Sequence, residues 1–258
     1  MDLELNGKVV IVTGGSKGIG LACARAFVQE GARVAIVSRS QENLDRALTS
    51  LHGAIGLAAD LGDADAAARM VQAVGRQLGP IDILVNSAGA AQRALPAELT
   101  PAVWRAAMDA KYFSYIHAID PIVKQMVERG CGVIVSVIGN GGKIASPMHL
   151  AGGSANAALM LATAGLARAY AANGVRVVAV NPGLTNTERV GEGVKVDARL
   201  HGISEADALQ RAIATIPTGR MAEPEEIANA VVFLASPRAS YITGVSISMD
   251  GASAPTVV

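Results

Sequence analysis

The chain has 258 residues, 51% of them hydrophobic and only 3% aromatic, and its 22 basic and 22 acidic side chains cancel. That is core material for one large α/β domain, with no basic stripe to track a phosphate backbone and too few aromatics for base stacking, so nucleic acid is not an expected partner. The acidic start MDLELNGK does not read as a signal peptide, and the apolar run Ala157–Ala167 reads as too short to span a bilayer, so no membrane role is expected.

Lys8–Gly14 is a short β-rich run ending in glycine, the pattern of a strand buried on both faces. Gly18–Glu30 has helical spacing and stops at Gly31, a C-cap position. Strand Arg33–Ser38, helix Gln41–Leu51, strand Ile55–Ala59, helix Asp63–Leu78 and strand Ile81–Ser87 follow. Pro101–Arg129 reads as a long helical region kinked or broken at Pro121. Strand Val133–Ile138, helix Ser154–Ala172 and strand Val175–Asn181 come next. A polar, irregular stretch from Thr185 to Thr215 reads as a substrate lid or a disordered loop. Helix Pro224–Ala235 and a strand near Val245–Met249 close the chain. Strands alternating with helices predict a single α/β domain over residues 1–258: a doubly wound, Rossmann-like parallel sheet of seven strands with helices on both faces.

Thr13–Gly20, TGGSKGIG, lies between the first strand and the first helix. Glycines there let the backbone turn tightly and approach a pyrophosphate, whose charge sits at the helix N-terminus. A tight strand-to-helix turn would also select glycine. The candidate cofactor residues in this loop are Gly14, Ser16, Lys17, Gly18, Ile19 and Gly20. The second strand ends in Ser38-Arg39-Ser40, where a carboxylate would suit a ribose 2′-hydroxyl and repel a 2′-phosphate. Arg39 and Lys17 offer two cations and Ser38 or Ser40 a hydroxyl, which favours NADP(H) over NAD(H). Arg39 as a solvated surface charge is the plainer alternative. Cys23 and Cys131 are lone cysteines in apolar segments and read as buried, reduced thiols, which fits a cytoplasmic protein. The four histidines, His52, His117, His149 and His201, are dispersed, so no metal site is expected.

TGGSKGIG, Asp60-Leu61, Asn86-Ser-Ala-Gly89, Asn181-Pro-Gly183, Pro217-Thr-Gly-Arg220 with Pro224-Glu-Glu-Ile227, and Tyr241-Ile-Thr-Gly244 with Asp250-Gly251 occur in that order. Together they resemble the short-chain dehydrogenase/reductase family over nearly the whole chain. The resemblance implies that Asp60 and Leu61 border the adenine. It places Asn86, Ala88 and Gly89 at the central strand ends, and Pro182, Gly183, Thr185 and Thr187 on the nicotinamide side. It also implies a homotetramer or homodimer packed partly through the Ser154–Ala172 helix, although that Ala- and Gly-rich face would also suit packing within one subunit.

The same resemblance implies a catalytic Ser, Tyr, Lys and Asn. Aligned without gaps on the flanking motifs, those positions hold Gly139, Gly152, Asn156 and Lys111. Asn and Lys have traded places, so an ammonium and an amide are expected to face each other, with Lys111 anchoring a ribose hydroxyl or supplying a proton. Solvent exposure is the plain alternative for Lys111. Tyr112 is expected to face away from Lys111. Tyr115, one turn on, shares its face but would more often be core. His149 is the best local acid–base candidate, since its ordinary pKa suits proton transfer near neutrality; Lys143 and Ser146 are weaker ones. The run Gly139-Asn-Gly-Gly142 either makes room for substrate, presents N–H groups to an oxygen, or is a flexible turn.

The expected activity is an NADP(H)-dependent oxidoreductase moving hydride between nicotinamide and a small or medium organic carbonyl, alcohol or conjugated alkene. Its proton donor is non-standard, with Lys111 and His149 the candidates and Asn156 a hydrogen-bonding partner. The rivals are an inactive cofactor-binding sensor or assembly subunit, and a lyase or isomerase that holds the cofactor as a fixed part.

Overall fold

The computed structural model describes residues 1–89 and 93–255. Seven strands, β1 Val9–Thr13, β2 Arg33–Ser38, β3 Ile55–Ala58, β4 Ile83–Asn86, β5 Gly132–Val137, β6 Val175–Pro182 and β7 Ser246–Met249, form one sheet. Their order is β3-β2-β1-β4-β5-β6-β7, and every neighbouring pair is parallel. The chain works outward from β1 to β3, then returns to β4 on the other side of β1. The loops after β1 and β4 therefore diverge, leaving a crevice at their carboxyl ends, where such sheets bind ligands.

The described residues form nine α-helices: α1 Gly18–Gln29, α2 Gln41–Leu48, α3 Ala64–Leu78, α4 Pro101–Ala107, α5 Ser114–Arg129, α6 Leu150–Tyr170, α7 Val190–His201, α8 Glu205–Ala214 and α9 Pro224–Ala235. Alternate residues of a strand face opposite sides, so β1 feeds two cores. Val10 and Val12 join Phe27 of α1 and Val231 of α9 on one face. Val9 and Ile11 join Val74 of α3 and Ile122 of α5 on the other.

Two expectations about elements need correction and a third narrows. Pro121 does not break α5, which runs on through it. An interior proline costs a helix about 3 kcal/mol. The buried Ile119, Ile122 and Val123 flank it, and at roughly 1.5–3 kcal/mol per buried aliphatic side chain they outweigh that cost. The rod from α4 to α5 loosens earlier, into a π-helical turn over Met108–Phe113. Helix α6 begins at Leu150, one turn before the expected Ser154, because the glycines at 152 and 153 stay helical under packing. The stretch 185–215 is neither irregular nor disordered: α7 and α8 fill most of it. Val190, Val194 and Ala198 recur every fourth residue and pack with Ile203, Ala208 and Leu209 in a small core of their own. Gly191 and Gly193 obscured that period.

Cys23 is buried as expected, but Cys131 is exposed in the turn between α5 and β5. The helical segment Pro147–Asn173 spans 27 residues, so it is long and apolar enough to cross a membrane, contrary to the length expected for it. Its α6 portion instead lays Ala151, Ala155, Leu159, Thr163 and Ala167 against the protein interior.

Candidate active site

The crevice opens into a cleft of about 1200 Å³, above the range of roughly 300–1000 Å³ usual for one small ligand. One end is built by the loop after β1. Gly14 packs so tightly on the β4 loop that a Cβ would lie 2.8 Å from the Ala88 backbone, and a Cβ on Gly20 would overlap the Gly14 carbonyl oxygen. Thr13 ties the same two loops together. Its Oγ1 accepts from the backbone N–H groups of Ser87 (3.1 Å) and Ala88 (3.2 Å) and donates to Asn86 Oδ1 (3.3 Å).

Ser16, Lys17, Gly18, Ile19 and Gly20 line the cleft where α1 begins. That helix has no side-chain cap and no acidic residue in its first turn, so its free N–H groups and positive end are open to an anion. Asn86 Nδ2 and Asn181 Oδ1 are buried without partners among the described residues. Uncapped helix, backbone-tight glycines and orphaned amides at the sheet's carboxyl edge together fit a dinucleotide.

The remaining expected cofactor residues divide into two groups. Gly89, Pro182, Gly183, Thr185 and Thr187 line the cleft. Ser38 ends β2, and Arg39, Ser40, Asp60 and Leu61 lie just beyond the carboxyl ends of β2 and β3; these five, like Gly14, Asn86 and Ala88, are outside the cleft wall. Arg39 is exposed and makes no ion pair among the described residues. Ser40 already caps α2 by accepting from the Asn43 N–H (3.2 Å). Lys17 meets Glu188 Oε2 at 3.3 Å, with both side chains well exposed. Such a surface pair is worth about 0–1 kcal/mol, so a bound phosphate displaces Glu188 at little cost.

The opposite end centres on Lys111. The π-helical turn places it 7% exposed, not pointing to solvent, yet lining the cleft. Its Nζ donates to Tyr115 Oη (2.7 Å) and to the Val137 carbonyl (3.0 Å), and Tyr115 Oη also donates to that carbonyl (2.6 Å). Burial first, and the charge of Arg189 second, push the Lys111 pKa down to about 7. Burial raises the Tyr115 phenol above its ordinary value, so Tyr115 stays neutral. It is fully buried and reaches the cleft only through Lys111. Lys111 and Asn156 both line the cleft, and the Lys111 ammonium takes Tyr115 and Val137 as its hydrogen-bond partners.

Asn156 instead turns toward the glycine run after β5. A Cβ on Gly139 would lie 3.4 Å from its Nδ2, and one on Gly141 would lie 2.7 Å from His149 Cδ2. The glycines thus make room for an amide and an imidazole. His149 is half-buried, with Nδ1 unpartnered among the described residues. Burial, then the charges of Arg93, Arg189 and Lys111, push its pKa down to about 4, so it is a neutral ring at physiological pH. Lys143 is occupied elsewhere, donating to Ser246 O and Ser248 Oγ at β7, while Ser146 lines the cleft.

The segment from Thr185 onward crosses this space. Its root is anchored where Asn186 N–H donates to Ala222 O (2.8 Å) and Ala222 N–H to Leu184 O (3.0 Å). Thr187 then comes within contact of Gly18. Sequence reading passed over one cleft cation, Arg93, took Arg189 as one of the mixed charges of the Thr185–Thr215 stretch, and left Tyr115 between the Lys111 face and the core. The 111/115 spacing was the available signal for Tyr115. For the arginines there was none, because they lie 96 residues apart by number.

Residues 14–252 match the family model described as enoyl-(acyl carrier protein) reductase. A 3alpha-hydroxysteroid dehydrogenase of Mediterraneibacter gnavus is 35% identical, covering 98% of this chain and 99% of that protein. L-sorbose reductase of Gluconobacter frateurii, solved with NADPH and L-sorbose, superposes with a TM-score of 0.92 at 31% identity and covers 100% of both chains. An NADPH-bound short-chain oxidoreductase of Pseudomonas aeruginosa, described as containing an atypical catalytic center, gives a TM-score of 0.87 at 31% identity over 97% of this chain and 98% of that one. With the sheet order, the glycine loop and these full-length similarities in agreement, the chain belongs to the short-chain dehydrogenase/reductase family of NAD(P)-dependent oxidoreductases.

Proposed function

We propose that this protein is an NADP(H)-dependent reductase of a small or medium organic carbonyl or conjugated alkene, working reversibly with the alcohol, in which Lys111 replaces the family's usual phenol as proton donor. The observation that carries the reading is the buried Lys111 ammonium on the cleft wall, held by Tyr115 and Val137. When bound, NADPH supplies a hydride from nicotinamide C4. Lys111 spends two N–H bonds on its fixed partners, which leaves the third for a substrate oxygen. As the substrate carbon gains hydride, that oxygen takes the Lys111 proton and the neutral amine remains, to be reprotonated from solvent. A donor whose pKa is about 7 is matched to this transfer near neutral pH.

Tyr115 is a positioning residue, since its phenol touches only Lys111 and the Val137 carbonyl. Asn156 and neutral His149 supply hydrogen bonds to the substrate or ribose beside Gly139 and Gly141. Arg39, with Lys17 released from Glu188, supports the choice of a 2′-phosphate, in line with the NADPH held by the two related structures named above. The Thr185–Thr215 segment acts as a lid over the substrate. A homodimer or homotetramer through the outer face of α6, with Leu161 76% exposed there, and a cytoplasmic location complete the reading.

The test follows deuterium. With NADPH labelled at C4 and a panel of ketones and enones, label is expected in product, and Lys111→Met is expected to suppress the transfer. Tight NADPH binding with no transfer across the panel, or transfer undiminished in Lys111→Met, refutes the reading.

A further inference from the structure

On the lid side of the cleft two cations stand without a carboxylate partner. Arg93, Arg189 and Arg211 line it together with Glu188, Glu192 and Asp197. Asp197 lies 3.2 Å from His201. Among the described residues neither Arg93 nor Arg189 has a carboxylate within 4.0 Å or a side-chain hydrogen bond. Arg189 sits at the N-cap of α7, where the helix's own positive end makes a cation unfavourable. Arg93 is accommodated by a gap in the same helix: a Cβ on Gly193 would lie 3.0 Å from its Nε and 3.1 Å from its Cζ. A glycine inside a helix costs about 1 kcal/mol. Both guanidinium forks, one at the positive end of a helix and one seated over a glycine, are exposed and face the cleft, open to a ligand.

We propose that the substrate carries an oxyanion, a carboxylate or phosphate, which Arg93 and Arg189 grip bidentately while its carbonyl faces Lys111. The orientation of the substrate toward Lys111 rests on the reductase reading; the anion subsite itself does not. The two arginines line the cleft with Lys111 and His149, and Arg189 bears on both of those groups and Arg93 on His149, whereas cofactor phosphates belong at the α1 end. An anion between them also offsets their mutual repulsion, which after burial is the second cause lowering the Arg93 guanidinium below its ordinary value. It would join the lid to the body of the domain, making closure dependent on a charged substrate.

The test uses malonate and methyl phosphate as probes, titrated calorimetrically into the full chain with and without saturating NADPH. Saturable binding that persists with NADPH, weakens at least tenfold in Arg93→Gln and in Arg189→Gln, and is unchanged in Arg105→Gln on the outside of α4 is the expected result. Preference for malonate assigns a carboxylate, and preference for methyl phosphate a phosphate. No saturable binding at millimolar probe, loss of binding when NADPH is added, or equal binding in the cleft variants overturns the subsite. A keto acid and its neutral amide, offered with C4-deuterated NADPH, test the other half. Intact probe binding with no label in either product leaves the subsite standing and refutes the hydride-transfer reading. Label passing to the amide as fast as to the acid overturns the substrate assignment.

Discussion

At the β1 end of the cleft, glycine brings backbone against backbone: a Cβ on Gly14 would lie 2.8 Å from Ala88 N, and one on Gly20 would overlap the Gly14 carbonyl. At the β5 end glycine makes space for side chains, His149 against Gly141 and Asn156 against Gly139. The first arrangement has no give, because peptide planes cannot move without moving β1 and β4. The second can adjust by rotating a side chain. In the proposed reading, the cofactor is met by the rigid end and the substrate by the adaptable end.

The comparison is sharpened most by Lys111→Met, which removes the proposed acid and leaves the rigid end untouched. Reduction in single turnover is expected to fall about 10²- to 10⁴-fold, with the Kd for NADPH unchanged; a matching loss of cofactor binding would show that the two ends are not separable. Arg39→Ala tests the rigid end by itself. It should weaken NADPH by about tenfold or more, the scale of a charge-assisted hydrogen bond, and leave NADH nearly unaffected in parallel titrations.

Gly20→Ala against Gly141→Ala tests the contrast in give directly. Overpacking against fixed backbone should cost about 1–3 kcal/mol of unfolding free energy, and Gly141→Ala less than half of that in the same denaturant titration. Equal losses would erase the distinction. Next comes pH. The Lys111 ammonium is the active form for reduction, so kcat should decline as pH rises through about 7, and oxidation should rise over the same interval. Tyr115→Phe removes an acceptor that favours the ammonium, so the falling limb should move to lower pH.

The smallest effect is on stability. The folded-state Lys111 pKa lies below its unfolded value, so the unfolded chain binds more protons from about pH 7 up to the ordinary lysine pKa. Burying the ammonium therefore costs most below pH 7 and is relieved as pH rises through that window. Lys111→Met should raise Tm relative to the parent more at pH 6 than at pH 9; the reverse order would mean the ammonium is not desolvated.

Much of the architecture was legible because the signals are local. Strand runs rich in Val and Ile, the Gly31 stop after the first helix, and the glycine loop each depend on a few consecutive residues. The same holds for Pro224 opening α9. Where reading failed, tertiary packing had overridden a local rule. Pro121 is carried by the buried residues around it, Gly152 and Gly153 are carried within α6, and α7 stays helical through two glycines because Val190, Val194 and Ala198 find partners on α8.

The candidate site was legible as a set of residues and not as a set of contacts. Lys111, His149 and Asn156 were all identified and all line one cleft. Their partners were not foreseen: Lys111 takes Tyr115 and Val137, and Arg93 and Arg189 arrive from separate parts of the chain. Amino-acid order by itself determined the alternation of strands and helices and the glycine loop that suits a dinucleotide, since each follows from backbone sterics and short-range periodicity. Only the tertiary structure decided which groups are charged and whom they touch, because burial and the approach of distant cations set the Lys111 and His149 proton affinities, and neither is encoded in neighbouring residues.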